Sequence, residues 1–144
     1  MSDAIVQAAR RWIGTPYQHQ QSHCGVGADC LGLIRGIWRE VIGPEPEVVP
    51  LYSRDWGETG AEEILQLATM RHLITKPLAE PAMGDVLLFR MRRGCIAKHL
   101  GVQVQTGAAP SFVHAYSGHC VTESPLSQAW ARKIVARFQF PSER

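Results

Sequence analysis

A chain of 144 residues with 45% hydrophobic content and a formal charge of +2 has the size of one ordinary globular domain, able to bury a single core without disulfides or metal. No stretch approaches the roughly 18 consecutive apolar residues of a membrane span, and the N-terminus lacks the basic region and apolar run of a secretion signal, so synthesis in the cytoplasm without a signal peptide is expected. Arginine far outnumbers lysine, which stands only at 76, 98 and 133, and the basic residues form no dense run of the kind that binds nucleic acid.

Residues 4–13 place Ile5, Ala8, Ala9, Trp12 and Ile13 on one helical face, and Gly14-Thr15-Pro16 ends the helix. Residues 14–28, rich in Gly, Gln and His, read as a loop. A second helix is expected over 29–41, with Asp29 as N-cap, Leu33, Ile34, Ile37, Trp38 and Val41 on its buried face, and Gly43-Pro44 as its stop. Cys30 falls on that face in the first turn, where unpaired backbone N–H groups and the helix dipole favour a thiolate. A cysteine there is either a nucleophile or a small buried hydrophobe, and a partner base decides which.

The segment 43–57, with prolines at 44, 46 and 50, reads as an extended connection, and Thr59-Gly60-Ala61-Glu62 has the form of a capping box before a helix carrying Ile64, Leu65, Leu67 and Ala68. After Pro81 the period changes to that of strands. Val86-Leu87-Leu88-Phe89 reads as a strand buried on both faces. His99 to Gln105 alternates, with His99, Gly101 and Gln103 on one side and Leu100, Val102 and Val104 on the other. Gly107 to Pro110 turns the chain, and Ser111 to Tyr116 returns with Phe112, His114 and Tyr116 on one side. A weak strand at 120–122, a short helix at 125–130 and a last strand at 133–138 complete the chain. Helices first and strands afterwards predict an α+β fold, N-terminal helices packed on an antiparallel sheet, as a single domain over 1–144.

The chemistry follows from where these elements meet. If the hairpin brings His99 and His114 together on the side reached by Cys30, the three form nucleophile, base and orienting group. An imidazole near its ordinary pKa cycles at neutral pH and would take the thiol proton. Gly101 beside His99 would leave room for substrate or the helix terminus. His19, His23 and Cys24 cluster in one loop and His119-Cys120 form another pair, but tight Cys-x-x-Cys spacing is missing, so no metal and no cofactor is expected. Tyr116 and His119 are candidates for a substrate groove.

Asp29-Cys30-Leu31-Gly32-Leu33 resembles the Asp-Cys-Ser-Gly-Leu nucleophile motif of the NlpC/P60 cysteine peptidases. Gly84-Asp85 before the apolar strand, His99-Leu100-Gly101-Val102, Phe112-Val113-His114-Ala115, and Gly14-Thr15-Pro16-Tyr17 are similar to four further motifs of that family, in the same order. The resemblance implies a papain-like core and hydrolysis of the peptidoglycan stem peptide, at the amide between a D-γ-glutamyl residue and a diamino acid. Carried over by residue, it implies Cys30 as nucleophile, His99 as base, His114 as third member of the triad, Tyr17 near the oxyanion and Asp29 in substrate positioning. The Cys30 N–H at a helix start is a second oxyanion donor. Leu31 departs from the usual serine. The compact form is similar to family members borne on phage tails and phage-derived particles, which implies virion-associated tail hub or tip proteins as partners and action on the periplasmic wall. A catalytically idle tail component is the alternative. An acyltransferase on the same core is disfavoured, because the lipid-directed relatives resemble a permuted order with histidine before cysteine.

Overall fold

The computed structural model describes residues 2–46, 71–92, 94, 97 and 99–141. The capping-box helix at 59–68, the connection beyond 46 and Cys95 lie outside them. Helix α1 (Ser2–Arg11) is followed by a small antiparallel hairpin, β1 (Ser22–His23) and β2 (Gly27–Ala28), and by α2 (Cys30–Val41). Then come β3 (Ile74–Lys76), β4 (Val86–Phe89), β5 (His99–Gln105), β6 (Ser111–His114), β7 (Thr122–Pro125), α3 (Gln128–Ala131) and β8 (Ile134–Gln139). Strands β3 to β8 form one antiparallel sheet in the order β3-β8-β4-β5-β6-β7. The expected α+β class is the one observed.

Helices α1 and α2 cover one face of this sheet. Ile5, Ala8, Ala9 and Trp12 from the first and Leu33, Ile34 and Ile37 from the second join Val86, Leu88, Leu100, Val102, Val104, Val113 and Phe138 in one buried cluster. The opposite face holds Leu87, Phe89 and Phe112 under Leu126, Trp130 and Ile134. Strand β4 is therefore buried on both sides, as its unbroken apolar run requires. On β5 the alternation separates two covered faces: His99 is 6% exposed and Gln103 2%. The short helix α3 makes the difference, by bringing Trp130 over the second face.

Several elements differ from the sequence reading, among them the short helix expected at 125–130, which runs over Gln128–Ala131. The 14–28 loop contains the β1–β2 hairpin. Strand β7 begins at Thr122, two residues later than expected, because Val121 instead donates to the Thr15 carbonyl and ties this segment to the end of α1. Strand β3 carries no apolar alternation and is held at the sheet edge by register with β8.

The far end of the sheet is fixed by charge. Asp85 is 2% exposed, and its carboxylate accepts from Lys76 Nζ at 2.9 Å, Arg137 Nη1 at 2.9 Å and the Ala82 N–H at 2.9 Å. Arg137 Nη1 also donates to Gln103 Oε1 at 2.7 Å, so one carboxylate ties β3, β8, β4 and β5 together. A buried ion network is costly to break from one side, since the remaining charges stay desolvated. Replacing Asp85→Asn is expected to destabilise the protein by about 3 to 5 kcal/mol, read as a lower urea midpoint at unchanged slope.

Candidate active site

The site begins with the way α2 is started. Asp29 lies in an extended conformation, and one carboxylate oxygen accepts from the Gly32 N–H at 2.7 Å, the capping bond expected of this residue. The other oxygen accepts from the Gln20 N–H at 2.7 Å, which fixes a turn where Gln20 has φ +67°. Ser22 Oγ donates to the Gly32 carbonyl at 2.6 Å, and Arg39 Nη2 donates back to the Ser22 carbonyl at 2.6 Å. The loop is pressed so closely on the first turn that a Cβ on Gly32 would stand 1.9 Å from the Gln21 carbonyl oxygen. Tyr17 forms a parallel bridge with Ala28, two residues before Cys30, and is half-buried against the core.

Cys30 is thereby set against the beginning of β5. The backbone N–H of Leu100 is directed at its sulfur, as are those of Leu31 and Cys30 itself, and all three favour a thiolate. Burial and the Asp29 carboxylate outweigh them and push the thiol up to about 12. At neutral pH the sulfur in the resting protein carries its proton. Leu100 follows His99 in the chain, so the start of α2 lies against β5 at the residue next to the histidine.

His99 and His114 are not directly opposite one another. Gly101 is the residue paired with His114, and Phe112 is paired with Gln103, so the two imidazoles meet along a diagonal of the same sheet face. His99 Nε2 lies 2.9 Å from His114 Nδ1, and His114 Nε2 lies 2.9 Å from Ser124 Oγ on β7. With Nε2 engaged, the ring nitrogen left on His99 for a proton transfer is Nδ1. The space beside Gly101 is taken by protein: a Cβ there would stand 2.8 Å from the Phe112 ring, which itself lies 4.2 Å from the His114 ring centroid. The glycine therefore makes room for the imidazole pair and its aromatic backing.

The rings of Phe89, Tyr116 and Trp130 surround His99 at centroid distances of 5.6, 5.8 and 5.7 Å. Burial, the neighbouring His114 and the Lys133 ammonium hold His99 far below the ordinary histidine range. Burial and His119 lower His114 in the same direction. Both rings are neutral at pH 7.

Of the remaining expected residues, Tyr116 is 37% exposed and stacks on His119 at 5.3 Å, beside the pair. His19 Nδ1 stands 3.9 Å from Asp29 Oδ2. Cys24 and Cys120 are exposed thiols. Among the described residues no group of three or more His, Cys, Asp or Glu is placed to hold a metal ion, and no helix is long and apolar enough to cross a membrane. Ser124, Trp130 and Lys133 carried no signal in the sequence. Their place beside the histidines depends on β7 register and on where α3 lands.

The fold recurs in solved structures. The chain superposes on a NlpC/P60 family protein from Bacillus cereus ATCC 10987 with a TM-score of 0.67 at 16% identity, over 97% of this chain and 40% of the other. Against the NlpC/p60 domain of the peptidoglycan hydrolase SagA the TM-score is 0.64 at 20% identity, over 97% of this chain and 99% of that domain. The chain has the NlpC/P60 fold. A Staphylococcus aureus Mu50 protein described as similar to lipoprotein, of the NLP/P60 family, gives a TM-score of 0.61 at 17% identity, over 96% of this chain and 41% of the other. This chain thus spans about 40% of the length of the B. cereus and S. aureus proteins and nearly all of the SagA domain. No family model and no curated protein matches its sequence.

Within this NlpC/P60 fold the neutral histidine pair makes stability depend on pH. In the unfolded chain both rings bind protons near 6.5, whereas in the folded protein both pKa values lie lower. Stability is therefore full above 6.5 and is lost as pH falls below it, by about 1.4 kcal/mol per pH unit for each ring. Urea unfolding between pH 7.5 and 5 is expected to show this slope, and a His99→Gln/His114→Gln double variant is expected to flatten it.

Proposed function

We propose that the chain is a cysteine endopeptidase of peptidoglycan that cleaves the amide between a D-γ-glutamyl residue and a diamino acid in the stem peptide. The observations that support this reading are the Leu100 N–H at the Cys30 sulfur, on the residue that follows His99, and the buried pair of neutral imidazoles formed by His99 and His114. In this mechanism Cys30 Sγ attacks the scissile carbonyl as its proton passes to His99 Nδ1. His114 holds the His99 ring through Nε2. The Cys30 N–H and the Tyr17 hydroxyl receive the developing oxyanion. Collapse breaks the C–N bond, and the proton on His99 leaves with the amine. A water molecule, deprotonated by the same imidazole, then hydrolyses the thioester and returns the thiol.

The raised thiol pKa gives the mechanism its character. With the thiol pushed up by burial and Asp29, this reading starts from a neutral thiol and a neutral imidazole, and general-base transfer coupled to attack is the activating step. In this reading Asp29 contributes to substrate positioning by holding the Gln20 turn and the nucleophile helix in one arrangement. Leu31 packs against the core cluster and offers no side-chain polar group to the stem peptide.

The proposed route to the wall is a phage-like tail, with hub or tip proteins as partners and the periplasmic peptidoglycan as the site of action. A catalytically idle tail component is the second reading, favoured by the burial of the Cys30 sulfur and the adjacent Asp29 carboxylate, which both oppose a thiolate.

Mass spectrometry of muropeptides released from purified sacculi tests the two readings. The enzyme is expected to release fragments with a free amino group on the diamino acid. Cys30→Ala and His99→Ala are expected to release none, and Tyr17→Phe is expected to lower kcat on the order of a hundredfold. Absence of release by the unmodified protein supports the idle component.

A further inference from the structure

We propose that Ser124 is a positioning residue whose hydroxyl oxygen accepts the Nε2–H of His114 and so fixes the tautomers of both imidazoles. The inference rests on the reading of His99 as general base. Strand register supplies the geometry: His114 pairs with Thr122 and Phe112 with Ser124, so Ser124 stands on the diagonal from His114, as His99 does on the other side. A run of polar contacts crosses three strands, from His99 Nε2 to His114 Nδ1 at 2.9 Å and from His114 Nε2 to Ser124 Oγ at 2.9 Å.

Two hydrogen arrangements satisfy these distances, and they differ in chemistry. In the first, His99 Nε2–H donates to His114 Nδ1 and His114 Nε2–H donates to Ser124. His99 Nδ1 then keeps its lone pair. In the second, the hydroxyl donates to His114 Nε2, His114 Nδ1–H donates to His99 Nε2, and His99 Nδ1 carries a proton. That ring is no base. The first arrangement also survives protonation of His99 unchanged, because Nε2 is already the donor, whereas the second would require His114 to turn over its proton during the reaction.

The general-base reading requires the first arrangement, which alone leaves His99 Nδ1 its lone pair, and the surroundings accommodate it. Ser124 lies on the wall of an open groove of about 490 Å³, with Ser111, Glu123, Ser127 and Leu126. With the groove open beside it, the hydroxyl can turn its hydrogen away from His114 and leave an oxygen lone pair for the Nε2–H. The other polar groups near the pair, His119 and Lys133, act on its charge and do not appear in this line of hydrogen bonds.

Nitrogen-15 NMR of the histidine rings, with stem-peptide hydrolysis measured in parallel, tests the assignment on the unmodified protein and on Ser124→Ala and Ser124→Thr. Both His99 and His114 are expected as Nε2–H tautomers at pH 7 in the unmodified protein. Ser124→Ala is expected to give His114 a mixture of tautomers and to lower kcat about tenfold at unchanged KM, the size of one lost hydrogen bond. Ser124→Thr is expected to restore both. A Nδ1–H tautomer of His114 in the unmodified protein, or tautomers and kcat unmoved by Ser124→Ala, would overturn the proposal. The Nε2–H pattern with the expected response to Ser124→Ala, in a protein that cleaves nothing, would sustain the tautomer assignment and refute the peptidase.

Discussion

The carboxylate of Asp29 decides where everything else in the site stands. One oxygen closes the first turn of α2 and the other holds the turn at Gln20, so the loop carrying Tyr17 and the helix carrying Cys30 share a single anchor. An N-cap of this kind contributes about 1 kcal/mol to a helix. Its effect here is larger in geometry than in energy, because the loop at Gln21 lies so close on the first turn of α2 that no side chain fits at Gly32. The same carboxylate opposes ionisation of the sulfur. Helix-start N–H groups and the Leu100 N–H pull towards thiolate, and burial with Asp29 pulls further in the other direction.

That balance has a counterpart in the histidines. His99 is enclosed by Phe89, Tyr116 and Trp130, and Lys133 sits 5.1 Å over the Trp130 ring, so an imidazolium there is disfavoured until a negative charge forms nearby. In the proposed mechanism the thiol and the imidazole are both neutral before substrate binds. Charge then separates as the attacked carbonyl becomes an oxyanion and the backbone and hydroxyl donors proposed for it come into play. In this account the aromatic enclosure sets the timing of proton transfer and also keeps the ring fixed for it.

Much of this was legible in the sequence where one physical signal acted alone. The helical spacing from Leu33 to Val41 with Asp29 before it gave α2 its start, and the apolar run at 86–89 gave a strand buried on both faces. The histidine spacing gave two strands of one hairpin, though not the diagonal pairing, which depends on where the register shifts between Gln103 and Gln105. Other features depend on tertiary context. The edge strand Ile74–Lys76 has no periodic pattern and is held by β8 and by the Lys76–Asp85 contact. The space at Gly101 is filled by Phe112 and not by substrate or a helix terminus, because α3 covers that face. Ser124 had no signal at all, since a serine on a weakly patterned strand is ordinary until its register is known.

The central claim is that the sulfur of Cys30, alone among the thiols of the described residues, is placed for attack and activated by His99. It is tested most directly with a stem-peptide fragment in which an electrophile replaces the scissile amide, followed by mapping the modified cysteine. The account predicts a single adduct on Cys30 that forms at neutral pH and disappears in His99→Ala. Labelling shared among Cys30 and the exposed Cys24 and Cys120, or labelling of Cys30 that is indifferent to His99, would contradict it.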